Sequence, residues 1–195
     1  MLTQKEADKL MKIKGESRRV NIKIDLDYLL KQAGERALKR LENEIAELGY
    51  PLKRKNIQLM DFYPIGLETI IIICIKDILH LDENGLEKMG ESVVKFSIFI
   101  KILMKYFGSL EMIAKEIPKT WKEHYTIGSL KMEEFDDNHA VLIQENFKIH
   151  PVYCFIHKGY FKKVAQMVQK TEVNSEETKC VFKGDKYNEF LLTWR

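Results

Sequence analysis

Apolar residues in the first half of the chain recur every three or four positions, which is the spacing of amphipathic helices. The segment 27–48 has this spacing and is followed by Gly49 and Pro51, residues that commonly end a helix. Gly34 lies inside it, where glycine costs about 1 kcal/mol relative to alanine, so we expect another element to approach closely there. The segment 67–79 is apolar on nearly every side and predicts a deeply buried helix.

The middle of the chain predicts further helices that are separated by glycine. Gly90 is expected to divide a short helix from a longer one over 91–107. Gly108 then precedes a helix that runs to about Tyr125 and that Pro118 kinks or divides. The chain is therefore expected to be helical through its first two thirds.

The spacing then changes to an alternation of apolar and polar residues, which indicates strands. Turn-forming residues at Asp136–Asn138 predict a hairpin over 130–147. Pro151 is typical of the first position of a helix, and 178–194 predicts a second hairpin whose alternate residues, Cys180 included, share one face. Helices followed by the order β-β-α-β-β indicate an α+β fold, with N-terminal helices packed on a small C-terminal antiparallel sheet.

Composition places the chain among soluble, globular proteins. Its 195 residues, 45% hydrophobic and 31% charged, suffice for one domain, which we assign to 23–195. A basic N-terminal extension over 1–22 precedes it and is expected to be mobile or to dock on a partner. The net charge of +3 argues against a nucleic-acid partner, and the longest apolar run, 70–75, is far shorter than the roughly 20 residues of a transmembrane segment.

The cysteines and the absence of catalytic motifs narrow the function further. Cys74, Cys154 and Cys180 are odd in number and widely spaced, which favours a reducing, cytoplasmic location. The sequence contains no Gly-x-Ser-x-Gly, P-loop, dinucleotide fingerprint or His-Glu-x-x-His. We therefore predict a cytoplasmic protein that is not an enzyme.

One group of residues has the spacing of a metal site. His150, Cys154 and His157 would lie on one side of the helix that begins near Pro151, and their side chains are good ligands for zinc or copper. A cysteine inside an apolar segment is also what core packing prefers. Both interpretations stay open at this point, and we favour core packing.

Gly34 in the early helix and the segments 142–146, 157–161, 180–185 and 190–194 have the character of a known superfamily. With these residues the chain resembles the superfamily that unites haem-nitric oxide sensor domains, TRAPP vesicle-tethering subunits and the vinyl-reductase-type small-molecule-binding domains of archaea and bacteria. The resemblance covers about 27–194 in element order and implies an α+β fold with a ligand cavity, in a prokaryotic protein of signal transduction.

The haem motifs of this superfamily are missing from the chain. Haem-binding members carry a Tyr-x-Ser-x-Arg element that clamps the propionates, whereas the corresponding strand here has Gln144, Asn146 and Lys148. A proximal histidine is also missing, because 111–122 contains none and His124 comes late. We therefore do not expect haem, and we expect the three polar residues of the strand to face solvent or the mouth of a polar cavity.

The superfamily also implies a zinc site that this chain carries only in part. Vinyl-reductase-type members often have paired cysteines around the final turn that hold a structural zinc. Cys180 occupies the first position here, Asn188 stands near the second, and Glu177 is the nearby acidic residue. Because a closed zinc site uses four ligands, we expect Cys180 to belong to the core and expect no structural zinc or other cofactor.

The candidate ligand site is a stripe of apolar and aromatic residues at helical spacing. Helices in this part of the chain wall the cavity in the superfamily, and such a pocket with a few polar tips suits an apolar small molecule. The same stripe is also typical of a filled core. The candidate ligand-binding residues are Phe96, Phe99, Leu103, Met112, Ile117, Trp121 and Tyr125.

These observations lead to a functional hypothesis. The chain is expected to be a non-enzymatic small-molecule-binding or sensor module, with an apolar cavity between the helices of 67–121 and the C-terminal sheet. It would signal through an unidentified protein partner and could pair through helices as a homodimer. The alternative is a TRAPP-like interaction scaffold or adaptor with a filled core and no ligand.

Overall fold

Helices and strands follow each other in the order that the α+β class requires. The computed structural model describes residues 2–58, 60–96 and 110–195, with the backbone alone at 95, 96 and 110. Ordered along the chain, the elements are α1 (Gln4–Met11), β1 (Glu16–Arg18), α2 (Arg19–Glu47), a 3-10 turn (Arg54–Asn56), β2 (Phe62–Pro64), α3 (Ile65–Ile78), α4 (Glu83–Phe96), α5 (Leu110–His124), β3 (Ser129–Phe135), β4 (His139–Glu145), α6 (Val152–Gln169), β5 (Val173–Lys179) and β6 (Asn188–Trp194). The predicted α+β class and the order β-β-α-β-β are confirmed.

The chain divides into two compact units, and the first consists of Met1–Asp82 and His124–Thr126. In this unit α1 begins with a capping box between Thr3 and Glu6. α1 packs on α3 so closely that a Cβ at Gly66 would lie 2.3 Å from the carbonyl oxygen of Leu10. Glycine at this position therefore allows the two helices to meet.

The N-terminal residues fold into this unit, which differs from the extension predicted for 1–22. β1 pairs antiparallel with β2, and Ser17 forms a further bridge with Tyr125. The boundary between the units follows Asp82 and falls inside the single domain assigned to 23–195. Strands of three residues are too short to show an alternating pattern, so this pairing leaves no signal in the local sequence.

α2 extends the predicted helix toward the N-terminus and bends at one glycine. Gly34 has φ 75° and ψ −175°, which interrupts the helical conformation. The predicted close approach at Gly34 is wrong, because a Cβ there would meet nothing within 4 Å. The glycine is explained by its positive φ, which other residues rarely adopt.

The second unit consists of Glu83–Glu123 and Ile127–Arg195 and contains a four-stranded antiparallel sheet. Its strand order is β3-β4-β6-β5, and α6 packs against β5 and β6. The predicted hairpin of β3 and β4 is confirmed. The second hairpin begins earlier than predicted, so that Cys180 lies in the turn after β5 instead of on the strand.

α4 and α6 cross at two glycines in the second unit. A Cβ at Gly90 would lie 2.0 Å from the carbonyl oxygen of Ile156, and a Cβ at Gly159 would lie 1.9 Å from that of Glu87. The prediction that Gly90 divides two helices is wrong, because α4 runs through it. The close backbone contact supplies the reason for glycine, and a single sequence cannot distinguish such a contact from a helix break.

Over the described ranges, no helix combines the length and the apolar character that crossing a membrane would require.

Candidate functional site

The candidate ligand-binding residues are distributed unevenly over the structure. Phe99 and Leu103 lie outside the described residues, and of Phe96 only the backbone is described. Met112 exposes 43% of its surface, and Ile117 is half-buried. Within the described part, these two side chains lie toward the surface of the second unit instead of in its core.

The two candidates with polar tips use those tips in hydrogen bonds. Trp121 donates from Nε1 to the carbonyl oxygen of Ile127 over 3.0 Å and belongs to the second unit. Tyr125 donates from its hydroxyl to Glu68 Oε1 over 3.4 Å and belongs to the first. The structure therefore anchors both side chains within their own units.

His157 lies in an aromatic cluster within the second unit. Its ring centroid is 5.4 Å from those of Phe147 and Tyr153, 5.6 Å from that of Trp121 and 5.7 Å from that of Phe161. Burial lowers the pKa of His157 to about 3, so the imidazole is neutral at physiological pH.

A chain of hydrogen bonds fixes the tautomer of His157. The backbone N–H of Val181 donates to Asn188 Oδ1 over 2.8 Å, which leaves Asn188 Nδ2 to donate to Gln144 Oε1 over 2.8 Å. Gln144 Nε2 must then donate to Nδ1 of His157 over 2.9 Å. His157 therefore carries its proton on Nε2.

The expectation that the polar residues of this strand face solvent or a cavity mouth holds for Asn146 and Lys148, which are exposed, and is wrong for Gln144. Gln144 faces neither solvent nor a cavity mouth; it is 1% exposed, because the Asn188 and His157 side chains satisfy its amide inside the unit. The alternative of a metal group formed by His150, Cys154 and His157, over which core packing was favoured, is also not what the structure shows. His150 Nδ1 accepts the N–H of Val152 over 3.3 Å and His157 is held by Gln144, so neither imidazole joins the cysteine.

Cys154 instead lies close to Glu177 and Cys180, the two residues discussed above for the structural zinc site of the superfamily. Its Sγ lies 3.7 Å from Sγ of Cys180, and both thiols are buried and free. One ligand atom from each of Cys154, Glu177 and Cys180 lies within 4.8 Å of the others. The sequence places Cys154 with two histidines and Cys180 with Glu177, because nothing in the spacing of these residues reveals that the start of α6 packs beside the end of β5.

His124 is the half-buried histidine of the first unit, and its tautomer is the opposite of that of His157. Ser17 donates from Oγ to the carbonyl oxygen of Arg18 over 3.4 Å and accepts from Asn21 Nδ2 over 3.2 Å. Asn21 Oδ1 is then left to accept from Nδ1 of His124 over 2.9 Å. Burial, and secondly the charge of Arg18, lowers the pKa of His124 to about 4, so this imidazole is also neutral at pH 7.

The first unit also buries two carboxyl groups, Asp25 on α2 and Glu68 on α3. Asp25 is 4% exposed and Glu68 is 3% exposed. Burial, and secondly the neighbouring Glu68, raises the pKa of Asp25 well above its usual value. Sequence reasoning missed this pair, although an acidic residue inside the all-apolar pattern of 67–79 was the available signal.

Comparison with known proteins finds similar solved structures but no related sequence. No protein-family model matches the sequence, and no match is found among curated proteins. The structure is similar to that of an H-NOX protein from S. oneidensis in the Fe(II)NO ligation state, with 13% identity, a TM-score of 0.63 and coverage of 91% of this chain and 99% of that chain. It is also similar to the Fe(II) unliganded H-NOX protein from K. algicida, with 14% identity, a TM-score of 0.65 and coverage of 90% and 95%. The chain therefore has an H-NOX-like fold.

These structural neighbours bear on two expectations, the absence of haem and the resemblance to the superfamily. The expectation that haem is absent is contradicted, because the similar structures are H-NOX proteins with Fe(II) and Fe(II)NO centres, and haem is therefore possible. The named structures agree with the haem-sensor part of the resemblance. They give no support to its TRAPP-like part.

Proposed function

We propose that this chain is a sensor or ligand-binding domain that holds a small, largely apolar molecule, with haem as the first candidate. The H-NOX-like fold over 91% of the chain supports a ligand-binding role by analogy. The single observation that carries haem as a candidate is the hydrogen bond between His124 and Asn21 in the first unit.

His124 fits the requirements of an axial iron ligand. Its Nδ1–H is given to an amide oxygen, so the lone pair that can bind a metal lies on Nε2. Its low pKa, about 4, keeps the imidazole in the neutral form that metal binding requires. His150 and His157 have the opposite arrangement, because each accepts a hydrogen bond at Nδ1.

Arg18 supplies a positive charge in the same unit. Its Nε is buried and has no hydrogen-bond partner among the described residues, and its guanidinium lies 5.3 Å from the centroid of the Phe62 ring. Haem brings two propionates whose charge must be balanced, and an arginine fork matches a carboxylate well. Arg18 is therefore the residue that we propose to take the role of the missing Tyr-x-Ser-x-Arg clamp.

Haem, when bound, would supply an iron atom that takes a diatomic gas, as NO is taken by the S. oneidensis protein. The chain's own residues would hold and orient the group, and we propose no catalytic step for them. The finer parts of the hypothesis remain proposals: an apolar ligand cavity, transmission to an unidentified protein partner, and pairing as a homodimer.

The test is a titration of the purified protein with haemin, followed by the Soret absorbance. We expect one haem per chain in the wild type and loss of the saturable transition in His124→Ala. His139→Ala is the matched control, because it removes an imidazole that pairs with Glu134 and Asp136 at an exposed hairpin turn. Absorbance that is non-stoichiometric, or that His124→Ala leaves unchanged while the protein stays folded, contradicts His124 ligation.

A second measurement separates haem from other ligands. Protein purified from its own host is examined by native mass spectrometry for a co-purifying small molecule. A molecule other than haem would support the ligand-binding proposal and remove haem from it. Protein that is repeatedly empty and takes up no haemin would contradict the ligand-binding proposal and favour the scaffold alternative.

A further inference from the structure

We propose that copies of this chain bind each other through two hairpin tips of the second unit, with the basic tip of one copy on the acidic tip of the next. The acidic tip is the segment 133–139 around the β3–β4 turn, and the basic tip is the segment 180–187 between β5 and β6, together with Lys148. Both tips belong to one unit, and the contact is independent of the haem and ligand proposals. It gives the proposed pairing a surface on the sheet.

The two tips lie at opposite ends of the same sheet. β4 begins at the acidic tip, where His139 is opposite Thr193 near the end of β6. At the other end of β4, Gln144 is opposite Asn188, the residue with which β6 begins after the basic tip. The length of the sheet therefore keeps the two tips of one copy apart, whereas the tips of two copies can meet.

An exposed phenylalanine stands among lysines at the basic tip. Phe182 exposes 36% of its surface, and Lys148 Nζ lies 5.9 Å from the centroid of its ring. Lys148, Lys183 and Lys186 are exposed and form no ion pair with the described residues. Three positive charges without a counter-charge, beside an aromatic ring in solvent, favour a partner surface that is both anionic and apolar.

The turn that carries Phe182 is held by its own hydrogen bonds. The carbonyl oxygen of Cys180 accepts from the N–H groups of Lys183 and Asp185. Asp185 Oδ2 accepts from the N–H of Cys180 over 2.8 Å, which directs the only acidic side chain of 180–187 back into the turn. A preformed turn of this kind loses little conformational entropy when a partner binds, which favours affinity.

The acidic tip has the same arrangement with the opposite charge. Phe135 exposes 39% of its surface. Four carboxylates flank it in the sequence: Glu133, Glu134, Asp136 and Asp137. Lys131 pairs with one of them and His139 with two. Two basic groups do not balance four carboxylates, so the tip stays negative.

The two tips complement each other in charge and in apolar surface. When they meet, each phenylalanine ring covers the other, and the lysines of one copy face the carboxylates of the next. Exposed charge pairs contribute little individually and are screened by salt, so we expect a small, weak contact that salt disrupts. Each copy offers one tip of each kind, so the contact is heterologous and association can continue beyond a dimer.

The experiment is sedimentation equilibrium of the full chain at low ionic strength. We expect the average mass to rise with protein concentration up to about 1 mM and to return to that of the monomer in about 0.5 M salt. Lys183→Glu combined with Lys186→Glu reverses the basic tip and should weaken association about tenfold. Glu133→Lys combined with Asp137→Lys reverses the acidic tip and should have the same effect.

An equimolar mixture of the two charge-reversed proteins is the decisive measurement. One protein keeps the native acidic tip and the other keeps the native basic tip, so the mixture should associate although neither protein does so alone. A mixture that stays monomeric while both variants are folded overturns the proposal. So does a wild type that is monomeric at about 1 mM and low salt, or association that both variants keep.

The phenylalanines supply a second test that does not change charge. Phe182→Ser and Phe135→Ser should each weaken association about tenfold, because each removes the apolar part of one tip. Met112→Ser is the matched control, since Met112 exposes 43% of its surface but lies on α5 of the same unit. Equal association in the two phenylalanine variants and the wild type would overturn the contact.

Discussion

Gln144 donates a hydrogen bond from Nε2 to Nδ1 of His157 over 2.9 Å, and both side chains are buried between β4 and α6. The direction of this bond is set by the backbone N–H of Val181, two hydrogen bonds away. Three side-chain amide and imidazole groups of the second unit therefore depend on one another.

Gln144→Met should destabilise the second unit, because it leaves His157 Nδ1 and Asn188 Nδ2 without their partners. A buried polar group that loses its partner costs about 1–3 kcal/mol, so we expect a loss of about 3 kcal/mol for the two. Tryptophan fluorescence during urea unfolding measures it, since both tryptophans of the chain belong to the second unit. Glu176→Met, an exposed change on β5, is the control and should shift the free energy of unfolding by less than about 0.5 kcal/mol.

The buried His157 should make the second unit sensitive to acid. Its folded pKa, about 3, lies below the unfolded value near 6.5, so the unfolded state binds the proton first and stability falls as pH drops from about 6.5 toward 3. Within this window the expected slope is about 1.4 kcal/mol per pH unit. His157→Gln, which cannot titrate, should remove that slope between pH 6 and pH 5. An equal slope in both proteins would contradict a neutral buried His157.

Asp25 predicts the opposite dependence for the first unit. Its pKa is raised by burial and by Glu68, so the folded state keeps the proton longer than the unfolded state, and stability falls as pH rises above about 3.9 toward the folded pKa. Asp25→Asn should flatten this dependence and raise the melting temperature at pH 7, measured by circular dichroism. The exposed Glu47→Gln in α2 is the control. A parallel pH dependence in wild type and Asp25→Asn would be evidence against the raised pKa.

Gly159→Ala and Gly90→Ala should each separate α4 from α6. The added methyl group would stand about 2 Å from a backbone carbonyl oxygen, at which distance the helices must move apart. We expect a loss of about 3 kcal/mol in either variant, at the upper end of typical overpacking. Lys88→Ala, on the exposed side of α4, should change the free energy of unfolding by less than about 0.5 kcal/mol. Wild-type stability in both glycine variants would show that the crossing is looser than described.

The sequence predicts those structural features whose signals lie close together in the chain. The apolar repeat of 67–79 predicts α3, the turn at Asp136–Asn138 predicts the β3–β4 hairpin, and Pro151 predicts α6, because each signal lies within a few residues of the element that it describes. The prediction that Gln144 faces solvent is wrong because the partners of its amide lie far away in the sequence. A polar residue in a strand indicates solvent unless a distant partner satisfies it, and here Asn188 and His157 do so.

The sequence by itself determined the α+β class and the order β-β-α-β-β, because periodicity and turn residues are properties of short segments. The H-NOX-like fold was implied by the resemblance to the haem-nitric oxide sensor superfamily and not by these patterns. Only the tertiary structure decided that Cys154 meets Cys180 and Glu177, that His124 donates to Asn21, and that Gly90 serves a helix crossing. These contacts join residues that are far apart in the chain. Such contacts form only when whole helices and strands pack together, and the spacing of residues in a single sequence does not show which elements will pack.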